Sequence, residues 1–282
     1  MPKSSGIIRL VNNLTVIILT FNEEDNLAQA LKSVCGWAEY VYILDSFSTD
    51  QTLNIARSFP CQVFQNPFVN YGSQRNFAIT KLPVCTEWIF FLDADEYLTE
   101  PLKREIEEKL PHTVYQGFYI KRRFYFMGRW IKYGGYYPTW ILRLFQKTRA
   151  RVVREINEHV QIEGSTDFLE HDFVDSNRKG IGHWIEKHNR YADFEAQQLH
   201  NNTRRCEYAR FWGTQAQKKQ WIRDYVWSPF LPPLIRPFLY FIYRYFFRFG
   251  FLDGKEGFIY HFLQGLWFQF LIDVKYLEAK RK

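Results

Sequence analysis

Residues 88–100 read WIFFLDADEYLTE. The apolar run Trp88–Leu92 ends abruptly in Asp93, Asp95 and Glu96. Four to eight apolar residues bounded by polar ones read as a buried strand. Carboxylates crowded at the mouth of that strand repel one another unless something positive lies among them. A divalent cation is the simplest such thing, because hard cations take carboxylate oxygens. In an Asp-x-Asp after a buried strand the middle side chain points elsewhere, so both carboxylates can reach one ion, directly or through water. Mg2+ usually takes one or two carboxylates plus substrate phosphates, so this element suits a metal–diphosphate site. Asp-x-Asp also arises by chance as a solvated turn capping the next helix, and its place in the chain has to raise it above that.

Working backwards, the strand is the fourth of an alternating series. LTVIILT (14–20), YVYILD (40–45) and CQVFQN (61–66) read as strands, and EEDNLAQALKSVC, DQTLNIARSF and SQRNFAITKL as the helices between them. Asn22 is placed to cap the first helix. The alternation implies βαβ units, a mainly parallel sheet and helices on both faces. Ligands of such sheets bind outside the carboxyl ends of the strands. Those ends carry Thr20–Glu23, Asp45–Ser46 and Asp93–Glu96, so three polar clusters are expected on one edge. Asp45 can accept a hydrogen bond from a base or a ribose, and Glu23 is read beside it as a nucleotide contact. Asp50 and Thr52 are read as helix capping. Arg75 can pair with a diphosphate, although an exposed helical arginine reads nearly as well.

Working forwards, residues 115–163 mix aromatic and basic residues in extended-looking runs: GFYIKRRFYFMGRW, PTWILRLFQ and ARVVREINEHVQI. They are expected to form a second, partly antiparallel region beside the sheet. Arg122, Arg123, Arg129 and Lys132 form a basic aromatic patch there, either a grip for a phosphorylated acceptor or a solvated surface. GIGHWIEKHNRYADFEAQQLHNNTRR reads as a polar helix, with His183, Trp184 and His188 better explained by packing than by a pocket. From 229 the composition shifts. PFLPPLIRPFLYFIYRYFFRFG is nearly all apolar and aromatic apart from Arg236, Arg244 and Arg248, whose spacing of eight and four puts them on one helix face. In the last segment His261, Gln264, Gln269 and Asp273 form a polar arc. Neither segment is a clean run of about 20 apolar residues, which a spanning helix needs. Both are expected to lie in a membrane interface, arginines toward headgroups and aromatics toward acyl chains. The alternative is a buried helical hairpin covering the catalytic domain. The organisation read from the sequence is an extension over 1–13, a catalytic domain over 14–228 (nucleotide half 14–112, acceptor half 113–228) and a membrane-interface segment over 229–282.

The 282 residues suit one large α/β domain with an appendage, and 46% hydrophobic residues suffice for a sizeable core. A net charge of +7 favours anionic partners, whether nucleic acid, anionic lipid or phosphorylated substrate. The four cysteines, Cys35, Cys61, Cys85 and Cys206, make no CxxC pair, so neither a zinc site nor a disulfide framework is expected and a reducing compartment is the default. MPKSSGIIRLVNN has no long apolar core and no small-residue cleavage site, so no signal peptide is read and a cytoplasmic active part is expected.

TVIILTFNEEDNL, YILDSFSTDQT, QRNFA and FFLDADEYL, in this order and spacing across residues 14–100, resemble the amino-terminal signatures of family 2 glycosyltransferases of GT-A fold. NEHV and the aromatic carboxy-terminal part extend the resemblance toward bacterial enzymes that glucosylate the inner core of lipopolysaccharide. The resemblance implies a GT-A-like sheet flanked by helices, a UDP-sugar donor, Mg2+ or Mn2+ at the Asp-x-Asp, inversion at the anomeric carbon and a lipid-linked or lipopolysaccharide-type acceptor. The substrate contacts expected from sequence are Thr20, Asn22, Glu23, Asp45, Arg75, Asp93 and Ala94. The metal ligands are Asp93 and Asp95, with His171 as a further ligand by analogy with relatives that use a late histidine. Inverting transfer needs a base for the acceptor hydroxyl. The resemblance places a carboxylate in REINEHV, where Glu158 is preferred over Glu155 because NEHV carries the likeness; a surface glutamate paired with Arg151 or Arg154 is the competing reading. Peripheral attachment to the inner face of the plasma membrane completes the expectation. Two rival readings are disfavoured: a nucleotidyltransferase, because TFNEEDN has neither glycine nor base, and an inactive membrane-bound scaffold, because the Asp-x-Asp is intact. Nucleic-acid binding finds no module here.

Overall fold

The computed structural model describes residues 11–152, 160–200 and 231–281, with Trp212, Gln215, Lys218, Trp221, Ile222 and Tyr225 as isolated positions. The chain divides into two compact units, Met1–Arg122 with Trp140–Arg178, and Arg123–Thr139 with Lys179–Lys282.

The first unit opens with the alternation expected: β1 (Val11–Thr20), α1 (Leu27–Val34), β2 (Ala38–Asp45), α2 (Thr52–Arg57), β3 (Gln62–Gln65), α3 (Tyr71–Lys81) and β4 (Trp88–Asp93). In chain order then come β5 (Glu96–Leu98), α4 (Glu100–Lys109), β6 (Gly117–Phe126), whose last residues belong to the second unit, β7 (Arg129–Trp130) of that second unit, and, back in the first, β8 (Trp140–Gln146), β9 (Ala150–Val152), β10 (Val160–Ile162) and β11 (Thr166–Asp175). The main sheet runs β3-β2-β1-β4-β8-β6-β11-β5, with β7 on β6. The strands from β3 to β4 pair in parallel, while β4–β8, β8–β6 and β11–β5 pair antiparallel. The antiparallel strands thus extend the same sheet, where the sequence reading set them beside it. Cross-strand hydrogen bonding of β8 onto β4, invisible in a linear pattern, makes the difference.

Continuous apolar runs follow from burial on both faces. Leu14, Val16 and Ile18 of β1 join Trp88, Phe90 and Leu92 of β4 in one cluster, covered by Leu27 and Leu31 of α1 and Leu102 and Ile106 of α4. Ile17, Ile89 and Phe91 point the other way and meet Ala78 and Ile79 of α3. The period of two decides which residue goes to which face. Local caps fix the helix starts: the Asn70 side chain accepts from the Ser73 amide, and the Thr99 side chain from that of Leu102. Asn22 is not the cap of α1, which starts at Leu27. Its side chain instead accepts from the Thr49 amide at 2.8 Å, tying two loops together.

The second unit contains α5 (Gly180–His200), α6 (Arg236–Ile242), α7 (Gly254–His261) and α8 (Phe268–Arg281), with π-helical turns at Tyr243–Phe247 and Phe262–Trp267. Ala192, Phe268 and Ile272 form one small core, and Phe126, Ile131 and Tyr260 another. The expected packing role of Trp184 and His188 is met: the two rings stack at 3.5 Å, and Phe268 meets His188 edge-on.

The carboxy-terminal arginines were expected to face headgroups, and two of the three turn inward. Arg236 holds Asp273 through Nε and Nη2. Arg244 is buried, donating to the Gly134 carbonyl at 2.8 Å with its guanidinium 3.7 Å from the Tyr136 ring centroid. Two members of the polar arc are inside as well, Asp273 under Arg236 and His261 fully buried. Gly134 makes room for that ring. Its φ is +68°, and a Cβ there would stand 2.0 Å from His261 Cε1.

Candidate active site at the carboxyl edge of the sheet

Register brings the three polar clusters to one edge. Thr20 pairs with Asp45, Leu19 with Asp93, and Asp45 with Gln65, so the strands β3, β2, β1 and β4 end level. The loops after β1 and β2 are latched to each other. Asn22 N–H donates to Ser48 Oγ, Glu23 N–H to Thr52 Oγ1, Glu24 N–H to Asp50 and Gln51 N–H to Glu24. Asp50 also accepts from the Thr52 amide at 3.0 Å, as expected of a helix start. Burial alone would raise its carboxyl, but the hydrogen bonds from Thr52 and Glu24 outweigh it and hold the pKa below the ordinary value.

Asp45 is fully buried, and its carboxylate accepts from Thr20 Oγ1 at 3.0 Å, Ser48 N at 2.9 Å and Gln65 Nε2 at 3.2 Å. In this structure the carboxylate that the sequence offers to a nucleotide, and Thr20 with it, bind the three strand ends together. Ala94 is buried in the core cluster. Glu23 accepts from Asn26 Nδ2 at 2.8 Å.

Asp93 is held by an arginine at each oxygen. Its Oδ1 accepts from Arg75 at 2.9 Å and its Oδ2 from Arg143 at 2.7 Å. Positive charge between the carboxylates is therefore supplied first by protein. Arg75 is buried on α3, 5.1 Å from the Phe91 ring centroid, where an exposed helical arginine was the competing reading. Arg143, on β8, also bonds Glu96, which is 2% exposed and accepts from the Asp93 amide through its other oxygen. Burial pushes the Glu96 carboxyl up to about 8; Arg143 pulls against that rise, and Asp93, Asp175 and Asp95 add to it. Asp175 is held by Arg122 at 3.2 Å.

Asp95 is the open carboxylate of the group. Its Oδ2 accepts from Asn177 Nδ2 at 2.9 Å and its backbone oxygen from the Ser176 amide, while among the described residues Oδ1 accepts from no side chain. An all-oxygen pair suits a hard cation such as Mg2+ or Mn2+. Among the described residues no three His, Cys, Asp or Glu side chains are grouped to hold a metal ion. The remaining ligands of such an ion would then be substrate oxygens and water. His171 is not brought to the pair: its Nδ1 lies 2.9 Å from Glu105 of α4, whose carboxylate also accepts from the Glu170 and His171 amides. Glu158, with Glu155 and His159, lies outside the described residues.

Sequence reasoning missed Arg143, Asn177 and the role of Glu96. A signal existed for the first. An arginine inside the apolar strand WILRLF needs a buried partner, and the sequence does not say which.

A model of Glycosyl transferase family 2 matches residues 15–166, and the chain belongs to that family. An uncharacterized glycosyltransferase of Rickettsia bellii is 38% identical over 99 residues, 35% of this chain and 33% of that protein. The lipopolysaccharide core biosynthesis glycosyltransferase LpsC of Rhizobium meliloti is 30% identical over 166 residues, 54% of this chain and 58% of that protein. The match thus spans about a third of the rickettsial relative's length and more than half of LpsC. Among solved structures, S. aureus TarS 1-349 in complex with UDP-GlcNAc superposes with a TM-score of 0.46 at 15% identity, covering 94% of this chain and 92% of that one.

Proposed function

We propose that the chain is an inverting, metal-dependent glycosyltransferase. It moves glucose or another hexose from a UDP-sugar to a glycan or lipid-linked acceptor of the bacterial envelope, of lipopolysaccharide type, and works as a peripheral protein on the cytoplasmic face of an anionic membrane. The observation that carries this reading is the open carboxylate of Asp95 beside the arginine-held Asp93, at the sheet edge where ligands of such folds bind. Family membership supports the reaction class, the signatures support the donor, and the name of LpsC supports the acceptor class.

Asp93 and Asp95 would hold Mg2+ or Mn2+, which when bound offsets negative charge on the departing diphosphate. Arg75 and Arg143 fix the Asp93 carboxylate, so that little side-chain freedom is left to lose on binding. Asn22 and Glu23, in the latched loop after β1, border the donor site. Glu158 takes the proton of the acceptor hydroxyl as the anomeric carbon is attacked.

Calorimetry of UDP binding, with and without Mn2+, on native protein and on Asp95→Ala tests this. Binding that needs both the ion and Asp95 supports it. A native, folded protein that binds neither UDP nor another nucleoside diphosphate would make the inactive scaffold the better account.

A further inference from the structure

The helical stretch 235–262 is inside out for a protein in water. Its inward side carries Arg244, Asp253 and His261 beside Pro237 and Tyr260, all buried. Its outward side carries Phe238, Ile242, Phe246, Phe247, Phe258 and Phe262, each more than 40% exposed, with Phe247 at 71%. Exposed positions 238, 242 and 246 recur every four residues, and the π-helical turn Tyr243–Phe247 keeps that spacing on one side. Burying a guanidinium while leaving phenylalanines outside costs free energy twice over in water. The arrangement is consistent only if the outside is apolar in use, and contiguous apolar surface of this kind marks an interaction site.

Charge chooses the occupant. The two charged side chains that stand exposed within 235–262, Arg248 and Lys255, are both basic. A two-fold pairing of copies would set this face, with its bases, against itself. An anionic lipid surface complements it. Among the described residues no helix is long and apolar enough to cross a membrane, so the fitting mode is one in which side chains enter the headgroup and acyl boundary.

We infer that the outward face of residues 235–262 is a lipid-docking surface that inserts Phe238, Ile242, Phe246 and Phe247, while Arg236 and Arg244 serve the protein interior and touch no headgroup. The inference deepens the peripheral placement proposed above and needs no working active site.

Flotation of the full chain with phosphatidylcholine vesicles, and with vesicles containing phosphatidylglycerol, tests it. Native protein is expected to float with both, more with the anionic ones, and to stay bound in high salt. Phe246→Ser with Phe247→Ser is expected to cut vesicle partitioning at least tenfold with unchanged thermal midpoint. Arg248→Glu with Lys255→Glu is expected to remove only the preference for anionic vesicles. Native protein that floats with neither vesicle overturns the inference, as does a serine variant that floats like native. So does a concentration-dependent dimer that the serine variant abolishes, which would assign the face to a second copy. UDP binding on the same samples separates the two proposals: vesicle binding without UDP binding sinks the proposed function and leaves this face standing.

Discussion

Two arginines, one in each unit, are buried in different ways. Arg143 lies among carboxylates, bonded to Asp93 and Glu96. Arg244 lies among aromatic rings and a carbonyl, with no carboxylate in an ion pair to it among the described residues. In the first unit buried charge is balanced by charge, and the surplus acid is left at the strand ends, where Asp95 stays open. In the second, where Arg236 pairs with Asp273 by charge, the Arg244 cation is instead held by π faces and a backbone carbonyl. A buried charge therefore reports function only through what surrounds it.

The contrast can be broken by experiment. The largest expected effect is at the open carboxylate: Asp95→Ala should lower transfer from a UDP-sugar by on the order of a thousandfold while the protein stays folded. A folded variant with native turnover would remove Asp95 from the site. Next come the two arginines. Arg143→Ala removes one of the two counter-charges of Asp93 and leaves Glu96 buried without its hydrogen-bond donor, and should cost ~3 kcal/mol in denaturant unfolding. Arg244→Met keeps most of the packing and should cost about 1–2 kcal/mol, the scale of lost cation–π and hydrogen-bond contacts. Equal losses would erase the distinction.

Acidity sharpens it further, because the units carry opposite slopes. Burial brings the His188 pKa down to about 4 and lowers that of His261 too. The unfolded chain then takes these protons first, so the histidine contribution is complete above about pH 6.5 and is lost as pH falls toward 4, by ~3 kcal/mol for His188. Glu96 runs the other way. With a folded pKa near 8 against an ordinary 4.5, the folded state holds the extra proton between those values, so its contribution grows as pH falls through that window. Thermal unfolding from pH 8 to 4 should show an acid-side loss that His188→Gln reduces, and a relief below pH 8 that Glu96→Gln removes. The smallest effect is at the surface, where Phe246→Ser should change stability by only about 0.5 kcal/mol.

Much of the first unit was legible in the sequence. Short apolar runs alternating with amphipathic stretches name the strands β1 to β4, and the polar residues that end those runs name the edge. Asp93 and Asp95 were legible because a buried strand that stops in carboxylates is locally anomalous. The partners of Asp93 were less so. Arg143 comes from a strand fifty residues further on, placed by antiparallel pairing with β4. The inward loops were misread in kind: Asn22 looked like a helix cap because its side chain suits that role, and the neighbouring loop supplies its donor instead.

The carboxy-terminal stretch shows the limit most plainly. Its sequence alone determined that one side of the helix carries arginines and another carries aromatics, since that follows from a period near four. Which side faces the protein was decided by tertiary structure. Only there do Asp273, the Gly134 carbonyl and the ring of Tyr136 meet Arg236 and Arg244, and a cation goes where its partners are. Periodicity measures the angle between two faces and carries no sign. The sign comes from what stands opposite, and residues far apart in the chain supply it.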